Sequence, residues 1–519
     1  MVELMSPFVT SRPEDPALVD ETGVTTWREL NERANRFVHA LRARGIEDHA
    51  TIAVMSGNRR ELFEAFVGAM HANWLAVPVN WHWVADELSY VLENSGAQAL
   101  IVDDRFVEVA TVARADPRTS KCTTWIVMGG APEGFEAFDD VLAGADAGEP
   151  ADQGMGGPMF YTSGTTGFPK GVRGALSQTG APVAVWSLIA ASYAKMLSLP
   201  ADGVTLLEGP AYHSAQFVFA MFPLLVGSTV VMRHRFEAAE MLELIDAHGV
   251  TNVHLVPTQF VRLLKVDEAR RRAFDGSSLR TVFHGAAPCS PQVKRDMLAW
   301  WGPVVSEYYG GTEGGFLSII TGDEWLEKPG SLGRPVETVE IQVVDDEQRP
   351  VDAGVSGQIY FRSRLGFDFE YHGDADKTAV AHLADGWGTL GDIGYIDDDG
   401  YLFMSDRRID MIISGGVNIY PAEVEGVLVQ HREVADAAVF GVPDDEMGES
   451  VMAVVELLEP GAAGDRLSEE LIEFCGRHLA GYKVPRRMEF TDQLPRHETG
   501  KLYKRLLRDP HWEGTGRTI

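Results

Sequence analysis

The chain has 519 residues, with 45 Lys and Arg against 76 Asp and Glu, and a formal net charge of −31 at pH 7. So acidic a balance argues against a nucleic-acid coat, whose phosphate contacts need clustered Lys and Arg, and 45% hydrophobic with 23% charged residues excludes the disordered and fibrous classes. Three widely separated cysteines, Cys122, Cys289 and Cys475, suit neither a disulfide framework nor a Cys-based metal site and fit a reducing cytosol.

At roughly 100–200 residues per domain, the length implies several packed subdomains. The opening MVELMSPFVTSRPEDP has no basic segment and an early Glu, so no secretory signal is expected and the location read from it is cytoplasmic. TTWRELNERANRFVHALRARGI carries apolar residues at helical spacing and stops near Gly45, while TIAVMS, LAVPVN and ALIVDD are short β-rich runs of the kind that parallel sheets bury on both faces. Residues 143–158, AGADAGEPADQGMGGP, form a non-periodic connection. The most apolar run, Phe217 to Met232, contains a Pro, a Gly and a Ser-Thr pair and reads as buried core rather than a membrane span.

FEAAEMLELIDAHG then reads as a helix closed by Gly249, TNVHLVP as a strand, TQFVRLLK as a helix and LRTVFHG as a strand. This alternation implies α/β layers whose ligands bind where loops leave the carboxyl ends of the strands. From Val336 to Met404 strand-like alternation takes over, with a hairpin turn at DDG. After Asp406 the helix-and-strand rhythm returns. The expected architecture is therefore α/β: a large N-terminal domain, residues 1–406, of layered α/β subdomains plus a β-rich one, and a small C-terminal α/β domain, residues 407–519.

The densest chemistry lies in YTSGTTGFPKGV, residues 161–172. Hydroxyls, glycine N–H groups and one ammonium are what a polyphosphate needs: many short donors, close backbone approach and a compact positive charge. The string is not the P-loop GxxxxGK[ST], since Pro169 precedes Lys170 and Gly171 follows it, so no helix is expected to start there. It resembles the signature of the adenylate-forming superfamily, which includes acyl-CoA synthetases, peptide-synthetase adenylation domains and beetle luciferases. The resemblance continues in order through YYGGTEGG (308–315), GWGTLGDIGYIDDDGYLF (386–403), DRRIDMIISGGVNIYPAEVE (406–425) and GYKVPRRMEF with LPRHETGKLYKR (481–505).

The resemblance implies that Thr162, Ser163, Gly164, Thr165, Thr166, Gly167 and Lys170 hold the phosphates of ATP. It implies that Gly285 and Ala286, with Pro288, frame the adenine, that Tyr309 lies against it, and that Asp392 accepts from the ribose hydroxyls with Arg407 in support. Thr312 is expected at the α-phosphate, Glu313 and Thr166 at Mg²⁺, His213 at the mouth of the acyl pocket, and Lys501 as the lysine required for adenylation. The implied reaction uses ATP, Mg²⁺ and coenzyme A: a small carboxylic acid becomes acyl-AMP and then a thioester, the C-terminal domain rotating between the steps. A homodimer is compatible with the resemblance, and neither a nucleic-acid partner nor a transmembrane segment is expected.

Two positions depart from the family pattern: Leu390 stands where Thr is common, and Ile409 stands where the hinge residue is usually Lys or Asp. GPAYHSAQFVFAMF has no acidic residue to pair with an amino acid's amine, which points to a hydrophobic fatty, aryl or polycyclic acid. Phe217, Phe219, Met221, Phe222 and Phe316 are candidate pocket walls, with space left by Gly310, Gly311, Gly314 and Gly315; for Phe219 and Phe222 a core role is favoured. The alternatives carried are an acyl-AMP ligase loading a carrier protein, a luciferase-like oxygenase and a non-catalytic nucleotide binder.

Overall fold

The structure, a computed structural model, describes residues 4–162, 169–407, 410–414, 417–444, 447–496 and 502–513. The short apolar runs near the N-terminus form a six-stranded, all-parallel sheet in the order Glu136–Ala137, Thr124–Met128, Ala99–Asp103, Thr51–Met55, Leu75–Val79, Gly157–Pro158. Its four central strands are buried at every position, which is why their sequences are continuously apolar rather than alternating. The helix Trp27–Arg42 starts at a capping box, in which Thr26 accepts from the Glu29 N–H and the Glu29 carboxylate accepts from the Thr26 N–H.

A second sheet of nine strands runs Arg334–Pro335, Gly315–Ile320, Val305–Gly311, Thr281–His284, Asn252–Leu255, Val204–Leu207, Thr229–Met232, Pro16–Asp20, Gly23–Thr26. It is parallel from Val305–Gly311 across to Pro16–Asp20 and antiparallel only toward its edges. The apolar run from Phe217 becomes the buried part of the helix Ser214–Leu225, with Pro223 in its last turn, followed by the strand Thr229–Met232. The helix Ala238–His248 ends at Gly249 in the left-handed region, φ +61°, as its sequence predicts.

Antiparallel strands Val339–Val344, Gly357–Ser363, Asp392–Ile396 and Leu402–Arg407 build the β-rich part. Its DDG turn is pinned from outside, because Lys328 Nζ reaches Asp397 at 3.0 Å and also pairs with Asp399. The chain then forms a five-stranded sheet of Val417–Ile419, Ile412–Ser414, Gly448–Leu457, Val434–Asp444 and Arg487–Thr491, flanked by the helices Pro421–Leu428, Asp465–His478 and Lys504–Trp512. Among the described residues, the contacts between this unit and the rest include two hydrogen bonds: Lys265 Nζ donates to the Val434 carbonyl, and Ser290 Oγ donates to the Gly426 carbonyl at 3.3 Å. Among the described residues no helix is long and apolar enough to cross a membrane.

Candidate active site

The carboxyl ends of Thr281–His284 and Val305–Gly311 open on one side of the nine-stranded sheet. Gly285 and Ala286 follow the first of these strands directly, and Ala286 adopts φ +67°, a costly conformation for a residue with a Cβ and one that clusters at ligand sites. On the neighbouring strand Tyr309 donates its hydroxyl to Asp392 at 2.7 Å, 83 residues away in sequence. Asp392 is buried and sits at the start of Asp392–Ile396, whose backbone pairs it with Arg407.

Leu390 lies over the turn at Gly311, where a Cβ would stand 3.1 Å from a Leu390 methyl. The hydroxyl in this segment belongs instead to Thr389, which donates to the Ile359 carbonyl at 2.7 Å and accepts from the Gly391 N–H. The residue that departs from the family pattern thus packs against the glycine turn, and its neighbour fastens the segment to the strand Gly357–Ser363.

Thr312 and His213 meet through a residue that the sequence reading did not single out. Ser214 Oγ and Thr312 Oγ1 are 2.8 Å apart, and His213 is the N-cap of the helix Ser214–Leu225. The first residue of that helix therefore lies against Thr312, and a helix N-terminus is a setting that favours anions. Glu313 accepts a hydrogen bond from Tyr371 Oη at 3.1 Å, and Lys170 Nζ lies 4.7 Å from the centroid of the same Tyr371 ring. Burial first, and the neighbouring Lys377 second, lower the proton affinity of Lys170, while Asp374 and Glu313 oppose them. Lys170 begins a strand, Lys170–Arg173, paired with Phe160–Thr162 through Lys170 and Thr162, so no helix starts at the lysine. Ser163, Gly164, Thr165, Thr166, Gly167, Arg408, Ile409 and Lys501 lie outside the described residues.

The apolar side differs in part from the sequence expectation. Phe217 packs on Phe66 and Phe160, with ring centroids at 4.8 and 5.5 Å, and belongs with Met221 to the main core. Phe219 stacks on His254 at 4.6 Å, within a buried chain in which Gln216 Nε2 lies 2.9 Å from His254 Nδ1 and His254 Nε2 lies 3.1 Å from Tyr308 Oη. Burial pushes His254 down to about 3, so its ring is neutral. The space expected beside the glycines is largely filled: a Cβ at Gly310 would stand 1.9 Å from the Gly315 carbonyl oxygen, and one at Gly314 would stand 2.7 Å from the Phe361 ring. These glycines let the turn fold tightly on itself. Gly315 instead faces the Tyr193 hydroxyl, 3.5 Å from where a Cβ would be.

Glu208 precedes the loop that delivers His213. It is buried, and neither of its carboxylate oxygens has a hydrogen-bond partner among the described residues. Desolvation pushes it up to about 9, Glu240 adding to the effect, while Arg233 opposes it from an ion pair with Glu240 at 2.9 Å. The native state therefore holds a proton that the unfolded chain releases above its ordinary carboxyl pKa, and folding stability drains away as pH rises toward 9. Glu208→Gln cannot lose that proton. Its melting temperature relative to the parent should increase by several degrees, roughly, between pH 6 and pH 9; a gap independent of pH would refute the assignment.

The family described as AMP-binding enzyme matches residues 7–367, and the AMP-binding enzyme C-terminal domain matches residues 423–501. A fatty acid–[acyl-carrier-protein] ligase, ScoC, of Streptomyces coeruleorubidus is 32% identical over 100% of this chain and 98% of its own length. A long-chain-fatty-acid–CoA ligase of Mycobacterium tuberculosis is 33% identical over 94% of this chain and 93% of its own. Among solved structures, the anthranilate CoA ligase AuaEII in complex with anthranoyl-AMP superposes with a TM-score of 0.88 at 26% identity, covering 99% of this chain and 98% of that one.

Proposed function

Because this chain belongs to the AMP-binding enzyme family, we propose that it is an ATP-dependent acid–thiol ligase. It joins a hydrophobic carboxylic acid to AMP and transfers the acyl group to coenzyme A. The observation that carries this reading is a convergence: Lys170, Tyr309 to Glu313, and Asp392 come from distant segments to one edge of the sheet, linked there by the Tyr309–Asp392 hydrogen bond and by Tyr371.

In the first half-reaction the substrate carboxylate attacks the α-phosphorus of ATP, a bond forming from carboxylate oxygen to phosphorus as pyrophosphate leaves. Two anions approach, so the protein's task is positioning and charge stabilisation. Gly285, Ala286 and Tyr309 frame the base, Asp392 with Arg407 holds the ribose, and Lys170 with the Thr162–Gly167 loop holds the terminal phosphates. Thr312 and the helix end at His213 face the reacting groups, and Lys501 supplies a further cation. No general base is required, since the acid is already ionised. In the second half-reaction a thiolate displaces AMP, and we assign residues 1–406 and 407–519 as the two units that rotate relative to each other, with the pivot near Ile409.

Glu313 is the carboxylate best placed for Mg²⁺. Mg²⁺ keeps several of its waters and binds through one or two carboxylates and substrate phosphates, so a single protein carboxylate suffices. When bound, that ion neutralises phosphate charge.

A carrier-protein acceptor is the second reading, favoured by the end-to-end match to the acyl-carrier-protein ligase. Acid-dependent ATP/pyrophosphate exchange over a panel of fatty, aryl and polycyclic acids tests the first step. Thioester formation on coenzyme A, compared with that on a phosphopantetheinyl carrier, then separates the acceptors. Exchange with no acid in the panel would overturn the ligase reading.

A further inference from the structure

Tyr371 lies in none of the motifs, yet it stands between the two charges on which the proposed site depends. It sits on the two-residue strand Glu370–Tyr371, antiparallel to Lys170–Arg173 with Tyr371 opposite Val172. Lys170, two residues before Val172, shares its face, so the diagonal pair is within side-chain reach. The Tyr371 N–H donates to Thr378 Oγ1 at 2.9 Å, the Thr378 hydroxyl donates to the Asp374 carbonyl at 2.8 Å, and the ring packs edge-on against Phe369 at 5.7 Å. The backbone of Tyr371 is thus fastened to the Thr378 turn, and its ring is held against Phe369. Its hydroxyl goes to Glu313 and its face to Lys170.

Among the described residues neither Lys170 nor Glu313 forms an ion pair, although Glu313 is near enough to act on the proton affinity of Lys170. An ammonium and a carboxylate that both contact one phenol ring attract one another across it. We propose that Tyr371 is a positioning residue that keeps them apart. It gives the carboxylate a hydroxyl donor and the ammonium a π face, each weaker than an ion pair and each readily exchanged for a ligand. Lys170 then remains available to the terminal phosphates of a nucleotide and Glu313 to the cation that accompanies it. Direct pairing of the two would neutralise both groups before ATP arrived. The proposal rests on the nucleotide reading given above and assigns a role to a residue outside it.

The test is direct ATP binding to the full chain by titration calorimetry, in EDTA so that no metal contributes, arranged as a double-mutant cycle. Tyr371→Ala should weaken metal-free ATP binding about fivefold to tenfold, because Lys170 is captured by Glu313. In a Glu313→Gln background, where a neutral amide cannot hold the ammonium, the same change should cost less than about twofold. Tyr371→Phe, which keeps the π face, should bind metal-free ATP nearly as the parent does. Should Tyr371→Ala not fold, Tyr371→Leu, which keeps bulk against Phe369 without a π face, takes its place in the cycle. Equal losses in both backgrounds would show that the ring merely packs, and no loss from Tyr371→Ala in the parent, where Glu313 is intact, would mean that there is nothing to separate; either result overturns the proposal. Lys170→Ala distinguishes the two layers. Unchanged ATP binding there overturns the nucleotide site itself, whereas weakened binding with an additive cycle removes only the role of Tyr371.

Discussion

Lys501→Ala should lower acyl-adenylate formation by about a hundredfold or more while leaving the conversion of supplied acyl-AMP to acyl-CoA close to normal. The reason is the charge balance of the two steps. In the first, negative charge spreads over the phosphoryl oxygens as an anionic nucleophile approaches, and a preorganised cation is worth most at that moment. In the second, a neutral anhydride carbon is attacked and the leaving AMP needs no new cation from this segment. Of the described residues nearest to it, Arg496 and Leu502 form an antiparallel bridge, and Arg496 Nη2 pairs with Asp436 at 2.9 Å. Single-turnover measurement of each half-reaction decides, and equal losses in both would reject the division of labour.

The largest expected effect on stability lies deeper. Lys294 is fully buried, with Nζ 3.3 Å from Glu307 Oε2 and hydrogen-bonded to His284 Nε2. Burial lowers the proton affinity of Lys294 and raises that of Glu307, each partly offset by the other's charge. Lys294→Met leaves the Glu307 carboxylate in the same apolar surroundings without its cation, at a cost of about 3–5 kcal/mol. Glu307 then takes up a proton more readily in the folded than in the unfolded chain. The variant should accordingly lose stability as pH rises above the ordinary carboxyl range and recover it toward acid. Adding Glu307→Gln removes the stranded charge and should restore most of the loss. Urea melts at pH 5 and pH 8 check both statements; a Lys294→Met protein as stable as its parent at pH 8 would show that the pair contributes nothing.

Much of the architecture was legible in the chain itself. The apolar β runs, the helix that stops near Gly45, the stop at Gly249 and the DDG turn are local signals, written in residues that touch within a few positions, and the fold follows them. The pairings that assemble the site are not local. Tyr371 reaches Glu313 across 58 residues, and Ser214 reaches Thr312 across 98. Tyr371 belongs to a two-residue strand, too short for any alternation to reveal. The pocket walls were misread in part for a related reason. Periodicity reports that Phe217 and Met221 are buried but not what stands opposite them, and a glycine such as Gly310 signals close approach without saying whether a ligand or the Gly315 carbonyl makes it. Lys294, by contrast, looks like a surface lysine on an amphipathic helix until Glu307 and His284 are seen beneath it.

Two hydrogen bonds from the remainder to the C-terminal unit end on main-chain carbonyls, those of Val434 and Gly426. Every residue type presents the same carbonyl, and a Cβ at 426 would meet Ser290 at an ordinary 3.6 Å. Mutational drift therefore falls unevenly on the two halves. Substitutions at 426 and 434 that preserve the backbone leave the joint unchanged, whereas losing the Lys265 ammonium or the Ser290 hydroxyl breaks it. At these two contacts the side-chain recognition resides on one side of the seam, and the other side is free to diverge as its own packing allows.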